Sequence, residues 1–188
     1  MPKFSTTKMT ADQFLQLGED PPGVRLELVD GEVAVSPSPT PDHSKIVIQL
    51  ILLLGNYNEK HRLGELFQDV DTILGRFRVR RPDLLFFFKD RTHFVGKKAM
   101  EGPPDLAIEV ISPSSVDVDR EDKFTEYCEA GVAHYWIVDP QAKTIDAWQL
   151  VKNRYVETGH AQGNAKIRLA PFPDLEIPLA ELWRTRGK

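Results

Sequence analysis

Asp105-Leu106-Ala107-Ile108-Glu109-Val110-Ile111 reads as a β-strand buried on both faces, with one carboxylate in its middle. A continuous apolar run of this length is the pattern of a strand covered on two sides. Upstream, Pro82-Asp83-Leu84-Leu85-Phe86-Phe87-Phe88 repeats the arrangement, with the acid at the strand entrance. An ionised carboxylate in such surroundings is costly unless it meets a metal, a basic side chain or a proton. Two such acids together suit hard oxygen ligation of Mg²⁺ or Mn²⁺. The alternatives are a core arginine as partner or a place at the wet rim of the sheet. For Asp83, beside Arg81, these stand level with the metal reading; the apolar flanks of Glu109 favour a function.

Working outward, Thr10 caps a short helix over 11–17 that stops at Gly18. Val24–Val29, Asp30-Gly31 and Glu32–Val35 spell a β-hairpin. After the break Ser36-Pro-Ser-Pro-Thr40, Thr40 caps a helix with Pro41 at its first position, expected to run to about His61. Its residues Ile46, Val47, Leu50, Ile51, Leu53, Leu54 and Tyr57 cover much of its surface and call for deep packing. Two strand-like stretches follow, 65–74 and 76–88, the second divisible near Arg81-Pro82. The strand 105–111 ends at Ser112-Pro113, and a helix is expected over 119–130 with Gly131 as its stop. Further strands are expected at 135–138, 144–150, 154–157 and 166–169, with turns at Asn153 and Gly163 and a terminal helix near 179–183. This order predicts an α/β (α+β) fold, a mixed sheet flanked by helices, in a single domain over 1–188.

The chain has 188 residues, a net charge of −4 and a pI near 5.8. That balance argues against a protein that coats DNA, but not against an enzyme with one basic cleft. The single cysteine, Cys128, excludes an internal disulfide and a cysteine zinc site, and fits a reducing cytoplasm. Cys128 reads as a small core residue. Met1-Pro2-Lys3-Phe4 is followed by no apolar run, so no signal peptide is expected. The longest apolar run, 46–54, is too short to span a membrane.

Other chemistry-bearing residues have two readings each. Lys123 borders the apolar face Phe124, Tyr127 and Cys128 of its helix and could reach the sheet; the residues alone favour a solvated lysine paired with Asp119 four positions earlier. His43 shares a helix face with Val47, Leu50 and Leu54. It is either an inward proton relay or phosphate contact, or a first-turn surface residue. Glu27 lies opposite Leu26 and Leu28 on its strand, as a third acid for the site or as a cross-strand ion-pair partner. Arg76 to Lys98 holds eight basic residues against two acids, with aromatics between. Arg76, Arg78, Arg80 and Arg81 are therefore candidates for nucleic-acid binding, with a solvated strand face or a subunit contact as the alternative.

These residues together resemble a known pattern. Pro82-Asp83 followed by Glu109-Val110-Ile111 resembles the Pro-Asp…(Asp/Glu)-x-Lys signature of restriction-endonuclease-like nucleases. More of the chain is similar to the Uma-type family within that superfamily. The matching segments are Leu26–Glu32, Ser36–Ser44, Val79–Leu85, Gly102–Ser114, Asp119–Lys123, Gly131–Pro140 and Phe172–Trp183. The resemblance covers nearly the whole chain and is specific in combination.

It implies a restriction-endonuclease-like core with an N-terminal hairpin and extra C-terminal strands, and Mg²⁺ (or Mn²⁺) held by Asp83, Glu109 and the Val110 carbonyl. The chain departs from the superfamily at Ile111, where many relatives carry lysine; the resemblance assigns that role to Lys123 on the following helix, and it brings Glu27 into the site. The implied reaction is phosphodiester hydrolysis of nucleic acid, DNA first, by an enzyme acting as a homodimer or higher homo-oligomer. Rival readings are a non-catalytic nucleic-acid-binding or assembly module with the same fold, a hydrolase of another phosphate ester (although no Gly-rich phosphate cradle is present), and a structural homodimer whose acids are salt-bridged.

Overall fold

Asp30 and Gly31 both take positive φ, 49° and 86°, and close the expected hairpin of β1 (Val24–Val29) and β2 (Glu32–Pro37). The computed structural model describes residues 8–113 and 115–184; the reading of Met1–Phe4 lies outside them. Before the hairpin comes α1 (Ala11–Phe14), capped by Thr10 and one turn shorter than expected. After it, α2 (Pro41–His61) begins at the Thr40 cap, where the hydroxyl accepts the His43 amide, and ends at Arg62 in a left-handed conformation.

The stretches expected as two strands form four: β3 (Gly64–Gln68), β4 (Thr72–Gly75), β5 (Arg78–Arg80) and β6 (Leu84–Phe88). Asp69, at φ 54°, interrupts the first stretch. Pro82 interrupts the second, because it has no amide to give to a ladder. Then follow a 3₁₀ turn at Lys89–Phe94, β7 (Leu106–Val110), a π-helical turn at Val118–Asp122, α3 (Lys123–Ala130), β8 (His134–Asp139), β9 (Thr144–Val151), β10 (Arg154–Gln162), β11 (Lys166–Leu169), β12 (Phe172–Pro178) and α4 (Leu179–Leu182). The π turn replaces the first turn of the straight helix expected over 119–130, and Gly131 ends α3 as read. β12 and the 3₁₀ turn were not expected.

The strands form a mixed α+β architecture. A six-stranded sheet runs β10-β9-β8-β7-β6-β3, with β7 and β8 parallel and the other pairs antiparallel. The hairpin joins an antiparallel four-stranded sheet, β2-β1-β5-β4, and β11 pairs with β12. The chain thus leaves the large sheet after β3, adds β4 and β5 to the small one, and returns as β6. Asp83 sits at that return.

The large sheet is covered on both faces. Leu84, Phe86, Leu106, Ile108 and Val110 pack against Ile46, Val47, Leu50 and Leu54 of α2. Each fully buried leucine of this layer contributes about 1.5–3 kcal/mol. On the other face Ala107, Ile111, Tyr135 and Ile137 pack with Tyr127 of α3. α2 is buried along one face only, since Ile48 and Leu52 are exposed. Along β7 the even positions therefore face α2, and Glu109 faces α3. Cys128 is half-buried and contacts the Asn153 carbonyl, at the edge of the core rather than within it.

Candidate active site

β6 and β7 run antiparallel with Leu84 opposite Ile108, so one residue further out Asp83 comes alongside Glu109. Asp83 is buried, and its Oδ2 accepts the Val110 amide at 2.8 Å and faces His43 Nε2 at 2.9 Å. Its Oδ1 lies 3.4 Å from an Arg25 guanidinium nitrogen. Burial pushes the Asp83 carboxyl up, but His43, Lys123 and the Val110 amide outweigh it and hold it below its ordinary range.

Glu109 is buried more deeply. Lys123 Nζ lies 2.9 Å from its Oε2, and the Tyr127 hydroxyl donates to its Oε1 at 2.6 Å. Burial pushes the Glu109 carboxyl up to about 8; Lys123 opposes this, while the Asp119 and Asp83 charges add to it. The π turn brings Asp119 Oδ1 to 3.1 Å from Lys123 Nζ, as an ion pair rather than an aligned hydrogen bond. Tyr135 donates to the Asp119 carbonyl at 2.8 Å and fixes the turn to β8. Burial works against the Lys123 charge, yet Glu109, Glu27, Asp119 and Asp83 raise its pKa and keep it protonated. Lys123 thus pairs with Asp119 and reaches Glu109, and it is buried rather than solvated.

His43 faces inward, and its Nδ1 is buried without a hydrogen-bond partner among the described residues. Glu27 also faces the site, but its oxygens accept from Arg80 at 3.1 Å and from the Arg81 amide at 2.8 Å. Burial raises the Glu27 carboxyl, and Lys123 and Arg80 pull it below its ordinary value.

The four candidate arginines do not make one open face. Arg80 is buried and bonds Glu126 through two nitrogens at 2.6 and 2.7 Å, so it is a structural ion-pair partner and not, as expected, part of an open phosphate-binding face. Arg78 pairs with Asp30 and Glu129, and Arg81 with Asp20 and Asp71. Arg76 is exposed and lies against the Phe77 ring. Of the shared face of Arg78 and Arg80, Arg80 is buried against Glu126 of α3, while Arg78 stays partly exposed beside the exposed Asp30 and Glu129. Arg25 was missed, although it lies two residues from Glu27 on the same strand face; its other nitrogen pairs with Asp69 at 2.8 Å. Asp119 and Tyr127 were also missed as site residues.

Asp83, Glu109, His43 and Lys123 line one cavity of about 420 Å³, whose lining also includes Ser36–Thr40, Ser112, Pro113 and Ser115. Its lining holds four carboxylates (Glu27, Asp83, Asp119 and Glu109) against Arg25, Lys123 and one histidine. Glu27 is already offset by Arg80 from outside the lining, and burial pushes the Glu109 carboxyl toward its neutral form, so the balance lies nearer neutrality than this count. No three His, Cys, Asp or Glu side chains among the described residues form a ready cage. An ion would depend on Asp83, Glu109, the Val110 carbonyl and water, a donor set that fits Mg²⁺, which keeps several waters and takes one or two carboxylates.

The profile of one protein family, Uma2, described as "Putative restriction endonuclease", matches residues 11–180. A crystal structure titled as a putative nuclease belonging to DUF820 from Anabaena variabilis shares the fold. It has a TM-score of 0.76 and 21% identity over 93% of this chain and 97% of that one. No curated protein matches the chain.

Proposed function

Because this chain belongs to the Uma2 family, we propose that its cavity hydrolyses phosphodiester bonds of nucleic acid, DNA first, with a divalent cation on Asp83 and Glu109. The observation that carries this reading is the pair of strand-end carboxylates beside a charged, buried Lys123, at 2.9 Å from Glu109. Water adds across the ester: its oxygen bonds phosphorus, the P–O bond to the leaving oxygen breaks, and a proton ends on that oxygen. A bound Mg²⁺ or Mn²⁺ would supply polarisation of the phosphate and a more acidic water. Lys123 offsets the charge that grows on the phosphoryl oxygens, or orients the attacking water. His43 and the Val110 amide fix the Asp83 carboxylate, and Tyr127 fixes that of Glu109. Arg25, the other fixed cation of the lining, is shared between Asp69 and Asp83 and would meet a phosphate only in competition with them.

The test is cleavage of single- and double-stranded DNA and RNA with Mg²⁺ or Mn²⁺, beside the Glu109→Ala variant. Wild type is expected to cut and Glu109→Ala to lose about 10²–10³-fold in rate. Equal cleavage by the two removes Glu109 from the chemistry. A second reading is a binding or assembly module without turnover; it is favoured by both Glu109 oxygens being already engaged by Lys123 and Tyr127. Metal binding with no cleavage of any substrate would select it.

Metal affinity should depend on pH. With the Glu109 carboxyl near 8, a cation must displace its proton at neutral pH. Calorimetry with Mn²⁺ is expected to show affinity rising by up to about tenfold per pH unit below that value, with up to one proton released per ion. Affinity flat across this range would exclude Glu109 as a ligand. No helix among the described residues is long and apolar enough to cross a membrane.

A further inference from the structure

The groups that would do the chemistry are almost fully withdrawn from the protein surface. Asp83, Glu109 and Lys123 are 4%, 1% and 6% exposed and line the cavity. Its walls are stiffened by Pro37, Pro39 and Pro113 and carry the hydroxyls of Ser36, Ser38 and Thr40. A volume of about 420 Å³ is in the range that encloses a small ligand, not two paired strands.

Charge points the same way. Proteins that grip a duplex neutralise six to ten phosphates, roughly, with lysine and arginine. Here the arginines of β5 and its flank are committed to carboxylates: Arg78 to Asp30 and Glu129, Arg80 to Glu27 and Glu126, and Arg81 to Asp20 and Asp71. The fixed cations of the cavity lining are Arg25 and Lys123, themselves ion-paired, Arg25 with Asp69 and Asp83 and Lys123 with Glu109 and Asp119, so a phosphate would have to share them with those acids. Two such groups can hold one or two phosphates of a strand threaded between the hydroxyl-bearing walls.

Resting on the phosphodiesterase reading above, we propose that the substrate is single-stranded nucleic acid, and that a duplex is engaged only where its strands are already separated. Ser36, Ser38 and Thr40 bond backbone phosphates or sugars, contacts that position a strand without reading its sequence. Stretches of unpaired strand, frayed ends and flaps are then substrates, and a closed blunt duplex is not.

The experiment measures binding and cutting separately. Labelled oligothymidine and its blunt duplex with oligoadenine are titrated by fluorescence anisotropy in Ca²⁺, across a salt series, and then incubated with Mn²⁺. The single strand is expected to bind roughly tenfold tighter or better, and to be cut faster by a similar factor. The slope of log affinity against log salt should be about −0.7 per phosphate contact, so shallower than about −2. Equal or tighter binding of the duplex, failure to bind either probe, or a slope near −4 or steeper overturns the proposal. Preferential binding of the single strand without cleavage supports it and overturns the phosphodiesterase reading instead.

Discussion

Arg80→Met is expected to cost about 3–5 kcal/mol of stability. Arg80 is 2% exposed and holds two buried carboxylates, Glu126 at 2.6 and 2.7 Å and Glu27 at 3.1 Å. Methionine fills much of the volume but takes from both acids their closest counter-charge, leaving Glu126 with Arg78 at 3.7 Å and Glu27 with the Lys123 charge, and that loss is the expensive half of breaking a buried pair. The acids must then take up protons or draw in water. Glu27 belongs to β1 and Glu126 to α3, so the variant loosens the small sheet from the helix that carries Lys123. Urea unfolding read by tryptophan fluorescence checks this, and for a chain of this size the melting temperature should fall by roughly 6–20 °C. Adding Glu126→Gln to the variant should recover part of the loss, because one stranded charge is removed. A loss below about 1 kcal/mol would mean that the three-residue ion network contributes little.

Lys123→Met is expected to reduce cleavage by about 10²–10³-fold at a smaller cost in stability. Lys123 also faces carboxylates, Glu109 at 2.9 Å and Asp119 at 3.1 Å. The difference lies in Glu109, whose carboxyl is already pushed up to about 8 by burial. Without the lysine that carboxyl is pushed up further, stays neutral across the neutral range and keeps its hydrogen bond with Tyr127. Stability should therefore hold better than in Arg80→Met, while metal affinity at neutral pH falls. Cleavage rates, Mn²⁺ titrations and urea midpoints on the same preparations separate these effects. An unchanged rate with a large loss of stability would reduce Lys123 to a structural counter-ion.

Local rules carried much of the fold. Asp30-Gly31 dictates its hairpin, and Thr40-Pro41 fixes the start of α2 to the residue. The acid inside 105–111 was legible because apolar neighbours on both sides leave it no cheap alternative to a partner. Both sheet changes were not legible. They occur at Asp69–Asp71 and at Arg81–Asp83, and which sheet a strand joins is decided by residues far along the chain, such as Leu28 opposite Val79. The same limit hid the fates of the arginines. Arg78 and Arg80 alternate as a wet strand face would, but Glu126 and Glu129 arrive from α3, about fifty residues later. Arg25 carries no local mark beyond its spacing from Glu27. Only the family pattern pointed to Lys123 as a site residue, since the residues alone favoured a solvated lysine paired with Asp119.

The alternation along β7 has a consequence for strand alignment. Ile108 and Val110 face the α2 layer and Glu109 faces Lys123. Sliding β7 by one residue would drive the carboxylate in among Ile46, Leu50 and Leu54 and leave Lys123 opposite an aliphatic side chain. A run as uniformly apolar as Leu106–Ile111 would otherwise tolerate such a slip, because each neighbour could replace the next. The acid therefore acts as an alignment key for its own strand, so Glu109→Leu should fold into a sheet whose pairing is less uniquely set, whatever it does to chemistry.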